Sequence, residues 1–196
     1  MALTINHQTN DISATSGSVT IDGASAGGGP MVHISTTTLS SAAANVEFSG
    51  LGTTYEYYKL FYRYKQPTST STQYLMWRGM ISGSQVSSIY SYHNIINADS
   101  DSDYGNAYTG CLLQQVLGEK EVAGEVTFYG IGKSSSRIMA HSNGLHQNSQ
   151  APYTSFGLHV GYGQAQSGTW NGIAMVGFFE NLPVGATFSL YGIKAS

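Results

Sequence analysis

Carboxylates stand at alternate positions in Asp99-Ser100-Asp101-Ser102-Asp103-Tyr104-Gly105, the arrangement by which calcium loops gather oxygen ligands. The EF-hand form of such a loop needs Gly where Tyr104 stands and Glu where Gly110 stands. Asp99, Asp101 and Asp103 therefore read as a solvated acidic loop tip, with a calcium loop outside that pattern as the alternative. Gly132-Lys133-Ser134 imitates the end of a phosphate-binding loop, but the motif's first glycine would fall at Thr127, inside a strand-like segment. Gly161-Tyr162-Gly163 lacks the third glycine of a dinucleotide fingerprint, because Gln166 occupies that place.

The six histidines (His7, His33, His93, His141, His146 and His159) include no His-x-x-x-His zinc spacing. His141 and His146 flank Asn143-Gly144, which predicts a hairpin turn that would let them approach one another or meet symmetry copies. Histidines on a loop or sheet face are the plainer reading. Ser, His and Asp are plentiful, yet no Gly-x-Ser-x-Gly elbow exists, and Cys111 before Leu112-Leu113 reads as a small core residue. The expectation is a protein with no catalytic residues, no cofactor and no metal beyond that weak acidic candidate. Tyr- and Asn-rich loops offer a different chemistry, since aromatic faces stack on pyranose rings and amides bind hydroxyls. Tyr55 to Tyr64 reads instead as packing within a sheet.

Composition points to the elements that must position these residues. Charged residues are 10% of the 196, against about 25% in a usual soluble protein, so few like-charge barriers oppose self-association. With 24 glycines for turns and 14 tyrosines for pleated surfaces, the chain favours β-structure. The net charge is −3 and the eight Lys and Arg are scattered, which excludes the basic stripe that nucleic acid requires. One cysteine excludes an internal disulfide framework. Met1 to Asn6 has neither the basic nor the apolar part of a secretory leader, and no apolar run could span a bilayer as a helix. No membrane partner is expected.

Three segments are predicted. Residues 1–23 form an N-terminal arm with apolar Leu3, Ile5, Ile12, Val19 and Ile21; residues 24–30, ASAGGGP, form a Gly-rich linker; residues 31–196 form the main domain. In that domain strand candidates recur with turn residues between them. Val32–Leu39, Asn45–Phe48, Tyr55–Lys65 and Gln73–Ile81 come first, and in the third Tyr58, Leu60, Tyr62 and Tyr64 line one face. Ser87–Ile96 fits a strand or a helical face. Tyr108–Val116 and Glu125–Ile131 are expected to pair across Gly118-Glu119-Lys120, although Leu112, Leu113, Val116 and Leu117 also fit one helical turn, and Arg137–His141 and Ser155–Gly161 follow. About ten short strands without a long helix predict an all-β fold, a single antiparallel β-sandwich or jelly roll.

The chain closes on Gly172–Glu180, almost continuously apolar, then the breaker Asn181-Leu182-Pro183-Val184-Gly185, then the alternating Ala186–Ile193. A hairpin this apolar belongs in the core or a subunit interface, so Phe188, Leu190, Tyr191 and Ile193 are assigned there.

Those closing residues carry a family resemblance. Gly-Thr-Trp-Asn-Gly-Ile-Ala, an apolar strand, Phe-Glu-Asn-Leu and Phe-Ser-Leu-Tyr-Gly-Ile resemble the end of jelly-roll structural proteins of tailed-bacteriophage particles. Trp77-Arg78-Gly79, the Asn94–Tyr104 segment and the opening Ala2–Gly23 are similar to the same group, over about two-thirds of the chain. The resemblance implies a non-enzymatic homotrimer at the virion surface, made in the bacterial cytoplasm. It would decorate the capsid as a cement protein, gripping the major capsid protein or other virion proteins through its arm. The alternatives are the receptor-binding tip of a tail or head fibre, with a host surface glycan as partner, and a cellular TNF-like or lectin-like binding module.

Overall fold

The computed structural model describes residues 3–6, 11–14, 20–21, 24–25, 30–65, 73–87, 90–96, 101–116, 121–134, 137–147, 154–163 and 166–194. Among these there is no helix, and every element is a strand or a turn. Four short strands open the chain: β1 (Leu3–Asn6), β2 (Asp11–Ala14), β3 (Thr20–Ile21) and β4 (Ala24–Ser25). Then come β5 (Met31–Thr38), β6 (Asn45–Ser49), β7 (Tyr57–Lys65), β8 (Gln73–Ile81), β9 (Ser84–Gln85), β10 (Tyr90–Ile96) and β11 (Asp101–Tyr108). The last six are β12 (Cys111–Val116), β13 (Glu121–Tyr129), β14 (Ile138–Gln147), β15 (Thr154–Gly163), β16 (Trp170–Phe178) and β17 (Thr187–Ile193).

Among the described residues the two small hairpins, β1–β2 and β3–β4, pair only within themselves. β2 holds Ile12 of the arm, and β4 lies beyond the arm boundary set at residue 23. The rest form two antiparallel sheets. One has eight strands in the order β11-β10-β15-β14-β13-β7-β17-β5; the other runs β12-β8-β16-β6, with β9 beside β8. The chain changes sheet at each step from β5 through β8, then from β9 to β10, from β11 to β12, from β12 to β13, and twice more through β16 and β17. That path is a jelly roll, extended past β13 by β14, β15, β10 and β11.

β7 shows how sequence becomes layer. Tyr58, Leu60, Tyr62 and Tyr64 are buried, and Tyr57, Lys59, Phe61 and Arg63 take the other face, because successive side chains point to opposite sides. Trp77 of β8 meets this interior, with its ring edge-on to Tyr90 at 5.4 Å and to Phe128 at 5.3 Å. β12 packs across the interior against β10, β14 and β15.

Three expectations are corrected and one open reading is decided. β16 and β17 are not a hairpin: β16 lies between β8 and β6, β17 between β7 and β5, and Asn181–Gly185 carries the chain from one sheet to the other. Each is apolar because each is central to its own sheet. β12 and β13 likewise belong to opposite sheets rather than pairing across 118–120. The Ser87–Ile96 ambiguity resolves to a strand, because Tyr90–Ile96 pairs on both sides, with β11 and β15. Asn143-Gly144 is no turn; it sits inside β14, opposite Glu125-Gly124, so His141 and His146 stand five apart on one continuous strand. Glycine suits position 124 because the Tyr62 ring occupies the space its side chain would need.

β16 also explains an apolar outer face. Ala174 is fully buried between Glu47 of β6 and Arg78 of β8. Gln85 joins these two across it, donating to Glu47 Oε1 at 2.6 Å and accepting from Arg78 Nη1 at 3.0 Å. A small residue at 174 leaves room for that polar bridge.

The outer edge of β8 is shared, β12 covering Gln73–Trp77 and β9 covering Met80–Ile81. At the seam the Gly79 N–H donates to Tyr90 Oη at 2.8 Å, and the Tyr90 hydroxyl donates to the Val86 carbonyl at 2.7 Å. Tyr90 belongs to the larger sheet, so its hydroxyl ties the two layers together while satisfying the Gly79 N–H in the gap between β12 and β9.

Candidate functional site

The outer face of the larger sheet gathers residues that the sequence scatters. Tyr191 of β17 sits between His33 of β5 and Phe61 of β7, edge-on to both at 5.2 and 5.6 Å. Lys59 pairs with Glu125 at 2.8 Å and lies 5.5 Å from the Phe61 ring centre. Arg63 pairs with Glu121 at 3.1 Å. On the β5–β17 side hydroxyls replace charge: Thr36 bonds Ser189 at 2.9 Å and Thr38 bonds Thr187 at 3.1 Å. Cross-strand pairs of this kind knit the face together and neutralise much of what little charge it holds. A depression of about 470 Å³ lies over Phe61, Glu125, Asn143 and the Gly124–Gly144 pair.

A second depression, about 550 Å³, opens where β7 begins and β13 ends. Tyr57 and Tyr129 line it with ring centres 5.6 Å apart and planes 35° apart, beside the exposed Met139. Glu56, Lys133 and Arg137 bring charge to the same concavity.

At the opposite end of the sandwich stands an aromatic cluster. Phe178 and Phe179 have ring centres 4.3 Å apart, and Tyr74 lies 6.5 and 5.9 Å from them. Phe179 is 71% exposed and holds φ at 78°, a left-handed conformation costly for a side chain of this size. The arm leaves from the other end, where Met31 pairs with Ile193 and Ile193 with Tyr57. Nine residues of β7 separate the two ends, roughly 30 Å at the rise of a strand.

The assigned residues fall as follows. Phe188 and Leu190 are fully buried and face the interior, while Tyr191 and Ile193, opposite Lys59 and Tyr57, are on the outer face, Ile193 being almost covered there. Leu3, Ile5, Ile12 and Ile21 lie in the small hairpins; Val19 lies outside the described residues. Asp99 is also outside them, and Asp101 and Asp103 stand in β11, opposite Ile96 and Asn94, so this segment is an edge strand rather than a loop tip. Pairing with β10 extends it. No group of three metal-ligating side chains occurs among the described residues. Cys111 is fully buried.

The depression at Tyr57 and Tyr129 was not visible in the sequence. In the sequence Lys133 stands out only for its place in Gly132-Lys133-Ser134. The depression's signal lay in register, since Tyr129 comes one step beyond the Phe128–Tyr58 pair.

No family model and no curated protein matches the chain. A solved structure, the CBM2 module of Lactobacillus casei BL23 phage J-1 evolved Dit, aligns over 86% of this chain and 82% of that one. The identity is 9% and the TM-score 0.27, a similarity too low to carry an argument. What the coordinates define is an all-β antiparallel sandwich of jelly-roll path.

Proposed function

We propose that this chain is a non-catalytic structural protein of a tailed-bacteriophage particle, a homotrimeric jelly roll that decorates the capsid and grips it through its N-terminal segment. The virion setting rests on the resemblance of the closing Phe188–Ile193 motif. The observation that carries the attachment role is the separateness of the two opening hairpins. Among the described residues their strands pair with no strand of the sandwich, while the sandwich completes its own core and is closed where the Lys194 N–H donates to the Pro30 carbonyl at 2.9 Å. A two-stranded hairpin is marginal in water by itself, so such segments gain most by ordering on a partner surface. Trimerisation adds avidity, because three tethered arms engage one lattice together.

A receptor-binding fibre tip is the second reading, favoured by the exposed and strained Phe179 at the end away from the arm. Deleting residues 1–29 tests the proposal. The shortened chain is expected to keep its folding cooperativity and trimeric mass while losing binding to particles stripped of the protein. Undiminished particle binding by the shortened chain would refute arm-mediated attachment. Cryo-electron microscopy density confined to the tail would refute decoration.

A further inference from the structure

We propose that the depression lined by Glu56, Tyr57, Tyr129, Lys133, Arg137 and Met139 is a binding site for an acidic saccharide, a sugar ring bearing a carboxylate. This inference is independent of the virion reading. The volume, about 550 Å³, falls within the range of roughly 300–1,000 Å³ in which small ligands are held and is ample for one or two rings. Its floor is apolar and broad: two tyrosine rings only 35° from parallel, with the Met139 side chain 48% exposed beside them. Pyranose rings present C–H faces that pack on such surfaces. Its rim carries two of the eight cations of a charge-poor chain against one carboxylate. Arg137 and Lys133 suit a carboxylate, the arginine through its planar fork, and Glu56 can accept from ring hydroxyls. A bare anion would need the cations and not the aromatic floor. A neutral sugar would need the floor and not the cations.

The turn that bears Lys133 is held firmly. Gly130 and Gly132 adopt φ of 85° and 80°, and side chains there would collide with the Arg137 carbonyl and with the backbone of Gly52 and Thr53. Between them Ile131 is buried, the Gly132 N–H donates to the Trp170 carbonyl at 2.7 Å, and Ser134 bridges Thr169. The turn carrying Lys133 is thus anchored to β16 and to the core, and Gly130 abuts the backbone of Arg137, the residue before β14. Groups fixed before a ligand arrives lose less freedom when it binds.

Binding of tri-galacturonate to the full-length chain, followed by calorimetry or NMR titration, tests the site against the neutral galactose trisaccharide and inorganic phosphate. Tri-galacturonate should bind at least about tenfold more tightly than either, as loss of a hydrogen bond to a charged group predicts. Arg137→Gln and Lys133→Gln should each weaken it roughly tenfold, and Tyr129→Ala should also reduce it. If Arg137→Gln lowers the thermal midpoint, Lys133→Gln carries the test. Absence of tri-galacturonate binding overturns the proposal. So does equal binding of the neutral sugar, equal binding of phosphate, or full affinity in the Lys133→Gln variant.

Discussion

Tyr90→Phe removes a single oxygen from the seam between the two sheets, and the structure allows its cost to be worked through. The ring stays, with its edge-on contact to Trp77, so no cavity opens and no packing is lost. What goes is the acceptor of the Gly79 N–H and the donor to the Val86 carbonyl. Tyr90 is fully buried, and Gly79 is buried beside the Trp170 ring, so the orphaned N–H has no evident route to water. A buried donor left without a partner costs about 1–3 kcal/mol. Val86 is half-buried, and its carbonyl can turn to solvent at smaller cost. About 2 kcal/mol is the expected loss. At roughly 2–4 °C per kcal/mol for a chain of this size, the midpoint should fall by about 4–8 °C. Differential scanning calorimetry at matched protein concentration measures this, and urea titration should show a lower midpoint at unchanged slope. A variant within about 0.5 kcal/mol of the parent would refute the reasoning, since it would mean that water or a rearranged strand edge serves Gly79 equally well.

Gly192→Ala should destabilise by about 1–3 kcal/mol, because the new methyl would enter the space of the Tyr55 ring near its attachment point; denaturant titration checks this. Burial raises the phenol pKa of Tyr62, Tyr64 and Tyr90 above the ordinary value of 10. The unfolded chain therefore loses these protons first as pH rises, so the stability they contribute is whole below about pH 10 and drains above it, through the raised values. Ultraviolet titration of phenolate should show some tyrosines ionising only as circular dichroism reports unfolding. Complete ionisation in one step near pH 10 with the fold intact would contradict it.

Much of the layering was legible along the chain. The alternation in Tyr57–Lys65 assigned Tyr58, Leu60, Tyr62 and Tyr64 to one buried face, because a strand's period of two depends only on local backbone geometry. Cys111 was readable as core from its apolar neighbours, and the central place of Phe188 and Leu190 from an apolar run that could not face water.

Partnership between strands was not legible. Gly172–Phe178 and Thr187–Ile193 look like the two arms of a hairpin because only a short breaker separates them, yet the same breaker serves equally to cross from one sheet to the other. Asn143-Gly144 has the composition of a tight turn, and only its pairing with Glu125-Gly124 shows that it stands inside a strand. The Tyr57–Tyr129 depression joins residues more than seventy positions apart, and its existence depends on the register of β7 against β13 and on a turn anchored to β16. Composition and period determined that this chain is β, low in charge and layered, because those properties follow from each residue's own preferences. Which strands meet, and hence which side chains share a surface, was decided by the packing of the two sheets, a condition that no local stretch of sequence contains.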